Sequence, residues 1–577
     1  MKLILTLSLV LSTISCQKKK SNSANTPTPS QVQPIDISTL EGELDPIATT
    51  EAEVGGTLTQ WAGSYPKSLN MWEEYTSFNS DLMGLLYEPL LTMHSVEDKA
   101  VGVLAQSWNI SPDQTEFTYK LNPKAKWSDG KAITAADVQF YYDVIMNPKH
   151  QTPIFRIGLS RFNRPEVIDS LTLKIKAKEP HWMNFWETGQ LTAFPKHLWE
   201  GKDFNKVKWD FPIVSGPYKI GEFKENRYFT LKRRSDWWGR SLAYNHNKFN
   251  FEKIKYRFIS DRVKALEAFK KGELLTYGIY TSSIWMKQTE FPAVKKGWVA
   301  RERIFNQEPK SFQGFAFNLR LKKFQDKKVR QAIAHLLNLR LINEKLMYNQ
   351  YFILNSFFPD LYPNNTNPKR GIVEYQPELA RQLLAEAGWK PNSNGLLEKD
   401  GEVFTINFMT ASPDIRYLTI FVEDLKKVGF KASIEKLSYA TIRKRVTKFE
   451  FDMRMSAWGA TRLRNPESLW HSREADNQNS NNVPGYKNPA VDSIINALKV
   501  EPDINARNRG IAIMDSILVE DIPYILMWQS NHHRLLYWKM FNTPKYKFSK
   551  FGRGESIIEY WSFNSNKKKS LTEAQEQ

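Results

Sequence analysis

The chain has 577 residues, more than one hydrophobic core organises, so at least two lobes are expected. Apolar residues make up 41% and aromatics 13%, enough to fill such cores and too many for a fibrous or low-complexity protein. The single cysteine excludes an intramolecular disulfide, a thiolate zinc cluster and a Cys-x-x-Cys redox pair. The formal charge of +19 is spread through amphipathic segments instead of forming a stripe. That pattern reads as solubilising surface charge, with no nucleic-acid partner, and leaves attraction to anionic lipid or acidic ligands open.

At the N-terminus Met1-Lys2 is followed by the apolar stretch Leu3 to Ile14, an export signal over 1–15 that is too short to stay in a membrane as a span. Thr13-Ile14-Ser15 precedes Cys16, the only cysteine of the chain. This resembles a lipobox, with Thr13 where leucine is usual, and the resemblance implies a diacylglycerol anchor on Cys16. A plain secretory peptide with an incidental cysteine is the alternative. Lys18-Lys19-Lys20 and a polar run containing Pro27, Pro29 and Pro34 read as a flexible tether over 16–50. No later segment is apolar over the roughly 18 residues that a membrane span needs.

From Gly55 the pattern changes to short apolar strands and capped helices. Thr134 and Asp137 form a capping-box start, with Val138, Tyr141, Tyr142 and Ile145 on one helix face and Pro148 beyond it. Helices are predicted over Asp326 to Met347 and Pro377 to Ala387, the latter followed by Gly388. Val403 to Met409 reads as a strand, Ile415 to Val428 as a helix stopped at Gly429, and Phe430 to Leu437 as a second strand. This βαβ unit predicts a parallel or mixed sheet with a right-handed crossover in the second half. The first half, rich in aromatic strands and turns, predicts antiparallel α+β structure. The basic and polar tail 566–577 is predicted to be disordered.

Catalytic signatures are missing: there is no Gly-x-Ser-x-Gly elbow, no His-Glu-x-x-His pair and no phosphate-cradling glycine loop. Adjacent His532 and His533 point to opposite faces of an extended segment, so a hydrogen-bonding role is expected and no metal site. Asp129 and Asp492 sit where backbone capping explains them. No enzymatic activity and no cofactor are expected.

Five further landmarks occur in order: Trp127-Ser128-Asp129-Gly130 with Thr134 to Val138, Ser215-Gly216-Pro217-Tyr218, Ala316 to Leu319, Val329 to Ile333, and Ala385-Glu386-Ala387-Gly388-Trp389. Together they resemble the family 5 extracellular solute-binding proteins of ABC importers, from about Gly55 to Trp561. Tyr351 to Phe358, Pro484 to Asp492 and Ile525 to Trp528 are similar to the branch that binds microcin C-type inhibitors and longer peptides. The resemblance implies a mixed α/β (α+β), two-lobed hinged fold. Lobe 1 would span 51–300 with an inserted subdomain at about 79–205, lobe 2 would span 301–535, and a segment over 536–565 would return to lobe 1.

It further implies a monomeric carrier, lipid-anchored in the cell envelope and on the periplasmic side in a two-membrane bacterium, that passes peptide-like ligands to separate permease and ATPase subunits. A non-transport envelope protein on the same fold, such as a chaperone, sensor or adhesin, is the alternative. Backbone pairing with an extended ligand is expected along Phe317-Asn318 and along Ala457-Trp458-Gly459, with Trp61, Tyr65 and Tyr439 as aromatic walls. Thr461 stands where many relatives carry an Asp for the ligand's ammonium, which puts ordinary N-terminus recognition in doubt. Arg462 and Arg464 are candidate contacts for acidic cargo.

Overall fold

The computed structural model describes residues 42–412 and 414–576. The export signal and most of the tether, with Cys16, lie outside the described residues.

The first large sheet has seven strands. In spatial order they are Val299–Ile304, His533–Trp538, Thr276–Gly278, Thr57–Trp61, Lys253–Arg257, Tyr228–Arg233 and Tyr218–Lys224. It is mixed: Thr57–Trp61 runs parallel to both its neighbours, and the other pairings are antiparallel. Lys253-Ile254-Lys255-Tyr256-Arg257 buries Ile254 and Tyr256 while the three cations stay half-exposed, the period-two pattern of a sheet with one covered face.

Between its first and later strands the chain inserts an antiparallel four-stranded sheet of Ala105–Ile110, Glu116–Leu121, Thr172–Lys176 and Glu166–Val167. Helix Ala135–Met146 follows Thr134, whose N–H donates to the Asp137 carboxylate at 2.9 Å. The insert is not an independent body, because one hydrophobic cluster joins its Phe117, Tyr119 and Ile175 to Leu58, Phe229 and Ile254 of the large sheet. Gly216 explains one landmark: a Cβ there would collide with the Leu85 carbonyl at the end of helix Ser77–Leu86.

The second sheet has five strands in the order Lys431–Lys436, Thr405–Thr410, Met453–Ala457, Gln313–Phe317 and Tyr524–Leu526. The expected βαβ unit is present, with Thr405 opposite Lys431 in parallel register and helix Arg416–Val428 between the strands. Gly429 ends that helix at φ 107°, and a Cβ there would lie 2.8 Å from the Gly395 carbonyl, so both torsion and space demand glycine. Both faces of the sheet are covered. Phe315, Phe317, Phe408 and Met453 pack among helices Lys327–Ala334, Pro377–Glu386 and Arg416–Val428, and Ala316 and Tyr524 pack against helices Pro489–Lys499 and Ile504–Asp521.

Four expectations are corrected. The strands Val299–Ile304 and His533–Trp538 belong wholly to the first sheet, so the chain crosses between sheets over 305–312 and 530–532, later and earlier respectively than the boundaries at 300 and 535. The helix expected over Asp326 to Met347 is two, Lys327–Ala334 and Leu339–Lys345, because Asn338 caps the second by accepting the Leu341 N–H. The tail is not disordered: Ser565–Glu576 is a helix, held by Leu571, which is buried in a cluster with Phe269, Trp285 and Trp538.

Lastly, the tether ends before residue 50. Asp45 is buried, and its carboxylate accepts from Lys248 Nζ at 2.9 Å, Ser95 Oγ at 2.8 Å and Tyr560 Oη at 3.0 Å.

Candidate functional site

The strand Met453–Ala457 lies inside the second sheet, yet one of its edges is open. Asn318 N–H donates to the Asp452 carbonyl and Trp458 N–H to the Phe312 carbonyl. Even-numbered residues from 452 to 458 therefore turn their backbone groups toward the Gln313–Phe317 strand, and Met455, Ala457 and Gly459 turn theirs the other way. On that side the Thr405–Thr410 strand makes a single bridge, Phe408 to Met453. Beyond it no strand of the described residues pairs with Met455 to Gly459, and Ala457 and Gly459 are exposed. Thr405–Thr410 and Lys431–Lys436 end on the same side of the sheet, because all three strands run parallel. There Tyr439, 72% exposed, opens helix Tyr439–Thr447.

The segment that follows this edge joins the two halves. Arg462 donates to the Asp98 carboxylate at 2.6 Å and to the His94 and Glu97 carbonyls, with its guanidinium 3.7 Å from the centre of the Phe551 ring. His94 to Asp98 form the tip of the Leu91–Met93/Ala100–Gly102 hairpin in the first half. A second bridge is built by Trp182, whose N–H donates to the Lys499 carbonyl and whose ring lies 4.0 Å beneath Arg507, and by the Lys499 to Glu179 ion pair at 3.0 Å. Nearer the crossings, Tyr351 Oη donates to the Tyr280 carbonyl at 3.1 Å. Within the first crossing Glu308 meets Lys310 at 2.7 Å, and it reaches His533, the first residue of the strand that follows the second crossing, at 3.1 Å. The lobes thus touch at both margins.

In the first half, Asp81 and Glu555 lie near enough for their charges to interact, with Arg553 beside them. Asp81 keeps solvent access and is ringed by protein, and this crowding, with Glu555 nearby, pushes its carboxyl up to about 6 against the pull of Arg553. Sequence reasoning missed Asp81 and Glu555, which lie far apart in the chain with no motif joining them.

The expected site residues fall into two groups. Ala457, Trp458, Gly459, Thr461 and Tyr439 come together at one end of the second sheet. Trp458 is half-buried, with Nε1 donating to Tyr524 Oη at 3.2 Å, and the Thr461 hydroxyl donates to the Leu463 carbonyl. Others are committed elsewhere. Phe317 is fully buried in the core, and the Asn318 side chain donates to the Phe449 and Phe451 carbonyls. The expected backbone pairing with a ligand is corrected: the Phe317 N–H donates to the Pro523 carbonyl and the Asn318 N–H to the Asp452 carbonyl, so neighbouring chain takes both. Arg462 is corrected from cargo contact to interlobe tie, and Arg464 to a half-buried ion pair with Asp360 at 2.6 Å. Trp61 donates to the Ile259 carbonyl, and Tyr65 stacks on Trp209 with centroids 5.0 Å apart, both contacts lying within the first half.

Sequence reasoning also missed Arg454. Its side chain leaves the strand on the face opposite Met453 and Met455, and its Nε is buried without a hydrogen-bond partner.

Residues 99–480 match the sequence family described as bacterial extracellular solute-binding proteins, family 5 middle. A similar protein is the probable peptide-binding protein YejA of Agrobacterium fabrum, 27% identical over 511 residues, which cover 80% of this chain and 82% of that one. The uncharacterised protein y4wM of Sinorhizobium fredii is 28% identical over 511 residues, covering 80% and 76%. Among solved structures, the oligopeptide-binding protein AppA of Bacillus subtilis, in complex with a nonapeptide, superposes with a TM-score of 0.72 at 21% identity over 89% of this chain and 100% of that one. NikA of Brucella suis, in complex with Fe(III)-EDTA, gives 0.71 at 21% over 87% and 98%. These likenesses fix a two-lobed binding-protein fold.

Proposed function

Because the chain belongs to the family 5 bacterial extracellular solute-binding proteins, we propose that it captures oligopeptides or peptide-like compounds between its lobes and delivers them, unaltered, to the permease of an ABC importer. The open edge from Met455 to Gly459 carries this reading. A carrier of varied cargo needs contacts that every peptide can make. An extended ligand supplies them by pairing its N–H and C=O groups with a free strand edge while its side chains point into surrounding space. Ala457 and Gly459 have little or no side chain, so a guest backbone approaches without hindrance. Micromolar binding corresponds to about 8 kcal/mol, within reach of such pairing once the lobes close.

The relatives agree with it: one is a probable peptide-binding protein, and a structural neighbour holds a nonapeptide. With Thr461 in the loop, the ligand's ammonium requires another anion, and the Asp81 and Glu555 surface is the candidate.

Mass spectrometry of compounds released from protein purified under native conditions tests this reading. Intact peptides or peptide conjugates are expected, and a cleaved or transformed guest would contradict the carrier role. We also propose that a lipid on Cys16 holds the protein at the cell envelope, improved by the adjacent Lys18-Lys19-Lys20. Cys16→Ser is expected to move the protein from the washed membrane fraction to the soluble fraction with cargo binding intact. Retention in membranes would contradict the anchor.

A further inference from the structure

A pocket of about 180 Å³ lies between helix Tyr439–Thr447 and the loop 479–483, and Arg454 forms part of its floor. Its volume exceeds the roughly 150 Å³ that admits a benzene-sized guest, so an acid-bearing side group fits. Its lining includes two arginines, Arg443 and Arg454, with Thr447, Asn479, Ser480 and Asn482, and no carboxylate. The rim is fixed: Thr447 Oγ1 donates to the Asn479 side chain at 2.9 Å, Ser480 Oγ donates to the Glu474 carbonyl, and Asn482 Nδ2 donates to the Tyr486 carbonyl at 2.9 Å.

Arg454 differs from the other crowded arginines of this lobe. Arg330 donates to the Phe324, Gln325 and Asp521 carbonyls, Arg507 to the Glu501 and Pro502 carbonyls, and Arg464 is paired with Asp360. Arg454 has a buried Nε without a partner, and its side chain makes no hydrogen bond or ion pair with any described residue. Crowding holds its pKa below the usual guanidinium value, opposed only in part by the nearby Tyr524 and Tyr439. With its Nε buried and unpaired and its residue only half-buried, the guanidinium remains available to an anion that enters the pocket.

We propose that this pocket is an oxyanion subsite, in which Arg454, assisted by Arg443, takes a carboxylate or phosphate-type group carried by the cargo. Its position supports that assignment. Tyr439, which lines the pocket and is exposed, lies at the same end of the sheet as the free edge Ala457 to Gly459. A backbone paired on that edge would bring a side group within reach of the pocket, and the planar guanidinium suits bidentate contact. The inference rests on the carrier reading for the origin of the anion, whereas the pocket itself is testable without it.

The test exposes purified protein and its variants to an equimolar peptide mixture in which every glutamate sequence has a glutamine counterpart, and quantifies retained peptides by mass spectrometry. Wild type is expected to favour the glutamate members by about tenfold, the scale of one hydrogen bond to a charged group. Arg454→Gln is expected to abolish that preference while retaining the glutamine members as wild type does. Absence of a preference in wild type, or its persistence in Arg454→Gln, would overturn the proposal. Because removing an unpaired cation relieves desolvation, Arg454→Gln is expected to melt at or above the wild-type temperature.

Should that variant misfold, Arg443→Gln, on an exposed position of the helix, decides. It is expected to reduce the preference by about threefold or more, and an unchanged preference overturns the proposal. Should no peptide be retained by any protein, the carrier reading fails, and inorganic phosphate followed by phosphorus NMR decides the pocket. Saturable broadening with wild type that is lost in Arg454→Gln supports an oxyanion site fed by free anions, and the absence of broadening removes it.

Discussion

Arg462→Ala is expected to weaken cargo binding about tenfold, or about 1.4 kcal/mol, without lowering the stability of either lobe. The side chain touches Asp98, two carbonyls of the hairpin tip and the Phe551 ring, and the hairpin contacts exist only while the lobes meet. Their loss therefore raises the free energy of the closed arrangement alone and shifts the population toward the open one. Small-angle scattering should report a larger radius of gyration for the variant without cargo, and calorimetry the weaker affinity. Unchanged scattering and affinity would show that the tie has no part in closure. Arg462→Lys should recover only part of the effect, since an ammonium cannot span the same set of acceptors in a planar fork.

Lys248→Ala is expected to destabilise the first lobe by about 3–5 kcal/mol, the cost of breaking a buried ion pair from one side. Lys248 is buried between Asp45 at 2.9 Å and Glu559 at 2.8 Å. Burial alone would depress its ammonium, but the two carboxylates outweigh burial and hold its pKa above the usual lysine value. Burial opposes ionisation of Asp45 as well, and Lys248 overcomes it, so that carboxyl is held below its ordinary range.

A carboxyl depressed in the folded state contributes stability above its unfolded pKa and loses it as pH falls through the folded value. In Lys248→Ala the sign reverses, because Asp45 is then buried without its cation and protonation relieves it. The deficit measured by urea unfolding should accordingly be largest near neutral pH and shrink on acidification, first above about pH 4 as the stranded Asp45 of the variant takes up its proton, then below about pH 4 as the wild type loses its depressed carboxylate. A deficit independent of pH would mean that lost packing, and not the stranded charge, sets the cost.

These two residues also mark where the sequence stopped being readable. The βαβ unit was legible because its signals are local: alternation in Ala432 and Ile434, a helix of fitting length, and a glycine at the one position with a left-handed torsion. The Thr134 and Asp137 start was legible for the same reason. Arg462 and Asp98 are 364 positions apart and Lys248 and Asp45 are 203 apart, and no periodicity encodes such pairs. Asp45 looked like tether because its neighbours are polar, and the tail looked disordered because one leucine, Leu571, supplies its anchorage.

Phe317 and Asn318 were placed at the ligand by a resemblance of strand position, which identifies a strand but not the face or edge it leaves free. Hydrogen-bond parity distinguishes Met455, Ala457 and Gly459 from their even-numbered neighbours, and parity becomes visible only once the partner strand and its register are known. Arg454 was passed over because one arginine in a strand has no motif. Its significance lies in the partner it lacks.

The claim on which the account rests is that cargo pairs its backbone with the free edge from Met455 to Gly459. An N-methyl scan of any peptide that the purified protein retains measures this directly, by titrating each singly methylated version. Alternate amides are expected to be sensitive, with at least about a tenfold loss at each position that donates to the edge, while side-chain replacements away from the acidic group are tolerated. Equal affinity for all methylated versions, with strong dependence on side chains alone, would contradict it.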